Sequence, residues 1–279
     1  MTPTTTIEHS RRFGGIARLY GGEALSRALA AHVVVIGIGG VGSWAVEALA
    51  RSGLGQLTLI DLDHINESNI NRQIHALDSS LGASKVLAMR QRIVDINPEC
   101  VVNMIEEFID EDNVAMLLPS CDFVIDAIDN VRAKAALIAH CKLSGINIIT
   151  TGGAGGRIDP TQILIADLSR TVEDALASKV RAKLRKDYGF PRDAKKKFGV
   201  DCVYSAEKMP NSPVGADVEC RLSTADPLRR HEAVLRETPA SPPLEGSAGL
   251  SCAGYGSSVA VTAGFGFAAA SRVLQGLLR

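Results

Sequence analysis

The sequence predicts an α/β chain, a Rossmann-like, doubly wound, mostly parallel sheet with a C-terminal elaboration. Three observations carry that prediction. Short continuous apolar runs alternate with stretches of helical spacing, the pattern of parallel strands covered on both faces. The first run ends in Gly37-Ile38-Gly39-Gly40-Val41-Gly42, a G-x-G-x-x-G turn between strand and helix. An acidic residue, Asp61, closes the second run nineteen residues after Gly42. At 279 residues, one extended domain is more economical than several.

After an N-terminal helical segment, His32–Gly37 (HVVVIG) reads as a buried strand. Val41–Ser52 has helical spacing, with Val41, Ala45, Ala48 and Leu49 on one side. Gln56–Asp61 is a second buried strand, and Ala83–Ile96 a helix stopped by Asn97-Pro98. Val101–Ile105 and Asp122–Asp126 are further strands, Val131–Ser144 a helix, and Asn147–Thr150 a fifth strand. Right-handed crossovers then give double winding. Beyond Thr151 come a glycine-rich loop, Gly152–Gly156, a short strand over Gln162–Ala166 and a helix over Val172–Lys186. Thr238–Ser258, with three prolines, is expected to be a loop, and Val259–Leu278 a helix.

Hydrophobic residues make up 46% and aromatics only 4%, so aliphatic side chains and glycine must fill the core. Net charge is -1, yet Lys179–Lys197 holds nine basic residues against Asp187 and Asp193. That segment suits a polyanion, or is an ordinary solvated helix face. The six cysteines form no C-x-x-C pair, so a structural zinc site of that type is not expected. Cys121 and Cys141 read as small core residues. The N-terminus has no apolar signal-peptide region, and a reducing, cytoplasmic setting is expected. Gly246–Ser271 carries no charge and is long enough to cross a bilayer. Its Gly and Ser content favours a buried or subunit-interface helix over membrane contact.

The chemistry concentrates at the carboxyl ends of the strands. Gly39 lets phosphate approach the backbone, and the helix beyond offers free N–H groups. Asp61 can accept hydrogen bonds from ribose hydroxyls. A dehydrogenase needs that acid, but not the dense polar run Ser68-Asn69-Ile70-Asn71-Arg72-Gln73 that follows. Arg72 and Lys85 can converge on a triphosphate, Arg as a planar fork and Lys as a point charge. Asp129, after the fourth strand, can hold Mg²⁺ against phosphates. Asp129-Asn130 can equally be a cap for the next helix. A glycine turn without ligand and a solvated polar loop are the bland alternatives.

These motifs together resemble the ubiquitin-activating-enzyme-like superfamily, which includes the ThiF and MoeB adenylyltransferases. G-x-G-G-V-G-S, L-I-D-x-D, S-N-x-N-R-Q, a lysine and D-N all match between Arg12 and about Gly156. The resemblance implies ATP and Mg²⁺ as cofactors. It implies a nucleotide-binding set of Gly37, Gly39, Gly40, Gly42, Asp61, Asp63, Asn69, Asn71, Arg72, Gln73, Lys85, Asp129 and Asn130. Arg72, Lys85 and Asp129 would be catalytic, with Asp129 the metal ligand. It also implies a homodimer, with Arg12 reaching the neighbouring ATP site. Residues 1–156 would be the ATP-binding activating domain, and 157–279 an extension completing the same fold. The zinc cysteines of the sulfur-carrier enzymes are missing. A catalytic cysteine is not evident, though Cys202 and Cys220 lie near the usual place.

A narrower resemblance runs through nearly the whole chain. Arg12-Phe13-Gly14-Gly15, Thr151–Gly156 with Ile158-Asp159-Pro160-Thr161-Gln162, Gly199–Ser205 and Thr262–Phe267 look like the tRNA threonylcarbamoyladenosine dehydratase family. That resemblance implies an ATP-dependent, ligase-like cyclisation of threonylcarbamoyladenosine in tRNA through an acyl-adenylate, with tRNA as partner. A sulfur-relay protein is a further partner class it leaves open. The alternatives are an adenylyltransferase for a ubiquitin-like sulfur carrier, and a nicotinamide enzyme or nucleotide sensor.

Overall fold

The computed structural model describes residues 9–208 and 256–279. Helices α1 (His9–Tyr20) and α2 (Ala24–Ala30) lead into β1 (His32–Ile36), α3 (Gly42–Arg51), β2 (Gln56–Ile60), α4 (Lys85–Ile96) and β3 (Val101–Ile105). Then follow α5 (Val114–Leu117), β4 (Phe123–Asp126), α6 (Val131–Ser144), β5 (Asn147–Thr151), β6 (Ile163–Asp167), α7 (Ala175–Asp187), β7 (Asp201–Ser205) and α8 (Val259–Leu278). The seven strands form one sheet in the order β3-β2-β1-β4-β5-β7-β6. All neighbours are parallel except β6, which runs antiparallel to β7 at the edge.

Alternation along each strand builds the two layers. Val33 and Val35 of β1 point into the core shared with α2, α3, α4 and α8, and Val34 and Ile36 into the core shared with α5, α6 and α7. Continuous apolar runs are needed because both faces are covered. In α8, Val261, Phe265, Ala269 and Val273 recur every four residues and are fully buried. The helix is long and apolar enough to cross a membrane by length and composition. Here it packs on α3 and across β4 to β7. Burying Phe265 alone stabilises the fold by about 2 kcal/mol.

Several expected boundaries move. The helix expected from Val172 starts at Ala175, because the Asp174 carboxylate caps it by accepting Ala177 N–H. The strand expected at Gln162 starts at Ile163, after a turn led by Asp159 and Pro160. β7 was not foreseen as a strand. Its apolar stretch Cys202-Val203-Tyr204 is too short for pattern alone. Most of the expected Thr238–Ser258 loop, and all of Cys220, lie outside the described residues.

Candidate nucleotide site

β1 and β4 are neighbours, although β1 leads outward to β2 and β4 to β5. The crevice at their carboxyl ends is therefore the topological switch point, where open α/β sheets take ligands. The glycine turn sits there. Gly37 has φ +85°, and a Cβ on it would stand 2.8 Å from the Ala127 carbonyl oxygen. A Cβ on Gly42 would stand 1.9 Å from the Gly37 carbonyl oxygen. These two glycines close the turn onto itself and onto the end of β4. Gly39 stays open: the nearest atom to its Cβ position is Gln73 Nε2 at 4.0 Å.

The polar run folds over this turn. Asn69 Oδ1 accepts the Asn66 N–H (3.1 Å), closing a short 3₁₀ turn. Trp44 Nε1 donates to the Arg72 carbonyl (2.9 Å) and ties the run to α3. The Arg72 stem lies beside Gly40, with Cγ 3.3 Å from that glycine's Cβ position. Its Nη1 donates to the Ser68 carbonyl (2.6 Å) and Asn71 Oδ1 (3.0 Å). Asn71 Nδ2 donates to the Ser257 carbonyl (3.0 Å), joining the run to the start of α8. Asn69 and Asn71 thus hold the loop's shape. Gln73 is buried, and among the described residues its Oε1 has no hydrogen-bond partner. A buried acceptor left unpaired costs about 1–3 kcal/mol.

Asp61 and Lys85 face each other from β2 and α4. Both are buried. Asp61 Oδ2 accepts Ile38 N–H (2.6 Å) and Oδ1 accepts Asp63 N–H (2.9 Å), which leaves one lone pair on each oxygen. Burial pushes the Asp61 carboxyl above the usual carboxylate range, while nearby Lys85 draws it back. Lys85 Nζ lies 2.6 Å from the half-exposed Asp63 Oδ2 and 3.9 Å from Asp61 Oδ1. So Arg72 lies along the glycine turn, whereas Lys85 is turned onto two carboxylates.

The end of β4 carries Asp129 and Asn130. Asn130 caps α6, its Oδ1 accepting Arg132 N–H (2.9 Å) and Ala133 N–H (3.2 Å). The cap reading therefore holds for Asn130. Asp129 is half-buried beside it. Sequence reasoning missed the buried Asp126–Lys134–Thr150 cluster underneath. A lysine in the apolar run Ala133–Ala139, four residues after Asn130, was its only signal. Arg12 lies apart from the set. It donates to the Ile96 carbonyl (2.8 Å), at the far end of α4 from Lys85, roughly 17 Å along that helix.

Among the described residues, no group of three His, Cys, Asp or Glu side chains is placed to hold a metal. Asp129, half-buried after β4, is a single carboxylate, and magnesium takes only one or two carboxylates where phosphate oxygens and water complete its shell. Cys202 is fully buried in β7, and burial holds its thiol far above the ordinary range. As placed, it is no nucleophile. Cys141 is likewise pushed up to about 12.

The basic segment divides in two. Arg181 bonds Thr171 Oγ1, Lys183 pairs with Glu111 (2.9 Å) and Asp187 (3.0 Å), and Arg185 bonds the Pro191 carbonyl and stacks on Phe198. Lys179, Lys186, Arg192, Lys195, Lys196 and Lys197 are exposed.

The ThiF family model matches residues 11–277. The chain is 48% identical to tRNA threonylcarbamoyladenosine dehydratase of Haemophilus influenzae, over 97% of this chain and 95% of that protein. It is 47% identical to the enzyme of the same name from Escherichia coli, over 96% and 94%. A crystal structure of the E. coli tRNA N6-threonylcarbamoyladenosine dehydratase in complex with ATP superposes with a TM-score of 0.79. That match has 44% identity and covers 96% of this chain and 94% of that one.

Proposed function

The chain belongs to the ThiF family, and from that premise we propose that it is an ATP-dependent tRNA threonylcarbamoyladenosine dehydratase. The observation that carries this reading is the extent of the likeness. It runs through the basic segment and the last helix rather than stopping at the nucleotide-binding part.

ATP binds across the Gly37–Gly42 turn, its phosphates on the N-terminus of α3 and its ribose toward Asp61. The substrate's side-chain carboxylate cannot be attacked directly, because oxide is a poor leaving group. A carboxylate oxygen instead bonds to the α-phosphorus, the α–β phosphoanhydride breaks, and pyrophosphate leaves. The carbamoyl nitrogen of the same nucleoside then bonds to the acyl carbon. The acyl–oxygen bond breaks, AMP leaves, and the N–H proton is released. The net change is one water lost from the nucleoside as ATP becomes AMP and pyrophosphate. Ring closure is intramolecular and gains from proximity, so no enzyme nucleophile is required. The burial of Cys202 is consistent with that.

Arg72 and Lys85 supply fixed positive charge where phosphate charge grows. Lys85 turns from Asp63 to phosphate, and the buried Asp61, 3.9 Å away, remains to orient it. Asp129 would hold Mg²⁺ on the phosphates, which would neutralise their charge and align them. Gln73 and the backbone around Gly39 complete the cradle, with Asn69, Asn71 and Asn130 fixing its walls. The exposed lysines of the basic segment meet tRNA phosphates. A homodimer, in which Arg12 serves the partner's site, belongs to the same reading, as does a cytoplasmic setting. A sulfur-relay protein is its remaining partner class.

The test is AMP release from ATP with three candidate acceptors: tRNA carrying threonylcarbamoyladenosine, unmodified tRNA, and a ubiquitin-like sulfur-carrier protein. Release with the modified tRNA alone, together with mass loss of one water from the nucleoside, is expected. Release with the carrier protein alone would replace the reading by an adenylyltransferase.

A further inference from the structure

The turn that carries Asp129 is a closed circuit. Asp126, fully buried at the end of β4, accepts Ile128 N–H on Oδ1 (3.1 Å), which bends the chain just past the strand. Asn130 then caps α6. One turn into that helix, buried Lys134 returns to the start: its Nζ donates to Asp126 Oδ2 (2.8 Å), to the Asp126 carbonyl (3.3 Å) and to Thr150 Oγ1 (3.0 Å). The Thr150 hydroxyl, on β5, donates to Asp126 Oδ2 (2.6 Å). Each ammonium proton has an acceptor and each carboxylate oxygen a donor.

Stability alone does not account for such a pair. Desolvating each ion costs several kcal/mol, and an apolar pair of similar volume is often as stable or more so. What an apolar pair lacks is direction. Two parts of the nucleotide site rest on this turn. Gly37 sits against the Ala127 carbonyl, and a Cβ on Gly42 would stand 3.4 Å from Ala127 Cβ. Asp129 projects two residues further on.

We infer that Asp126, Lys134 and Thr150 are positioning residues for ATP, setting the height of the turn on which the glycine loop rests and from which Asp129 projects. The inference rests on the nucleotide reading of that loop. Two variants test it. Thr150→Val removes one donor and one acceptor at constant shape. Asp126→Val with Lys134→Met replaces both ions by apolar groups, so neither charge is left buried alone. Calorimetric ATP affinity, with Mg²⁺ and with EDTA, is read beside melting temperature and hydrogen exchange at the Ile128 amide. In both variants ATP affinity should fall about tenfold, the size typical of a supporting shell. The double variant should melt near the wild type and lose Ile128 protection. If it does not fold, Thr150→Val decides. Wild-type ATP affinity in a folded variant would overturn the inference alone. A wild-type protein that does not bind ATP would overturn the nucleotide reading and the inference with it.

Discussion

The Lys85 ammonium lies 2.6 Å from the Asp63 carboxylate, at the first residue of α4, where the helix dipole disfavours a cation. Two carboxylates, not the helix, hold it there. Lys85→Met should therefore lower kcat/KM for AMP formation by about 100-fold, the scale of losing one preorganised charge contact. Lys85→Arg should not restore it, because the side chain is buried and a guanidinium fork needs a different geometry. Steady-state rates within threefold of wild type (about 0.7 kcal/mol) would remove Lys85 from the mechanism.

Asp129→Asn keeps shape and loses charge. It should raise the Mg²⁺ concentration needed for half-maximal AMP release about tenfold or more, with little change in melting temperature. An unchanged magnesium dependence would return Asp129 to a purely structural role.

His75 is buried, and among the described residues both its ring nitrogens lack hydrogen-bond partners. Burial, with Lys85 and then Arg92 nearby, lowers its pKa from 6.5 to about 4. The unfolded chain takes up this proton as pH falls through 6.5, and the folded chain only near 4. The stabilisation is complete above pH 6.5 and is lost on the way down to 4, about 3 kcal/mol in all. Urea unfolding of His75→Phe should show a flatter pH dependence across that window. Parallel curves for variant and wild type would assign the acid sensitivity elsewhere.

Lys195, Lys196 and Lys197 are exposed, while Arg181, Lys183 and Arg185 are engaged in packing. Changing the three lysines to Gln should weaken tRNA binding and make its salt dependence shallower, leaving ATP affinity unchanged. Titrations at two salt concentrations decide it. Equal slopes for mutant and wild type would take this patch out of the tRNA interface.

The parts of the site that were legible are those that local chemistry dictates. Gly37 and Gly42 follow from a turn that must be tight, and the buried Asp61 from an acidic residue closing the second apolar run. Asn130 follows from a helix that needs a cap. The tie from Asn71 to the Ser257 carbonyl was not legible, because the two residues lie 186 positions apart. Nor was the placement of Arg12 on Ile96, which depends on α1 reaching the last residue of α4.

The sequence by itself determined the alternating strands and helices, the glycine turn and the residues gathered after it, because period and turn chemistry act over a few residues. Strand order was a tertiary decision. Placing β4 beside β5 set Thr150 against Asp126, and insertion of β7 beside β5 buried Cys202. Hydrogen bonds and desolvation depend on which surfaces meet, and that is settled only when the sheet closes over its two cores.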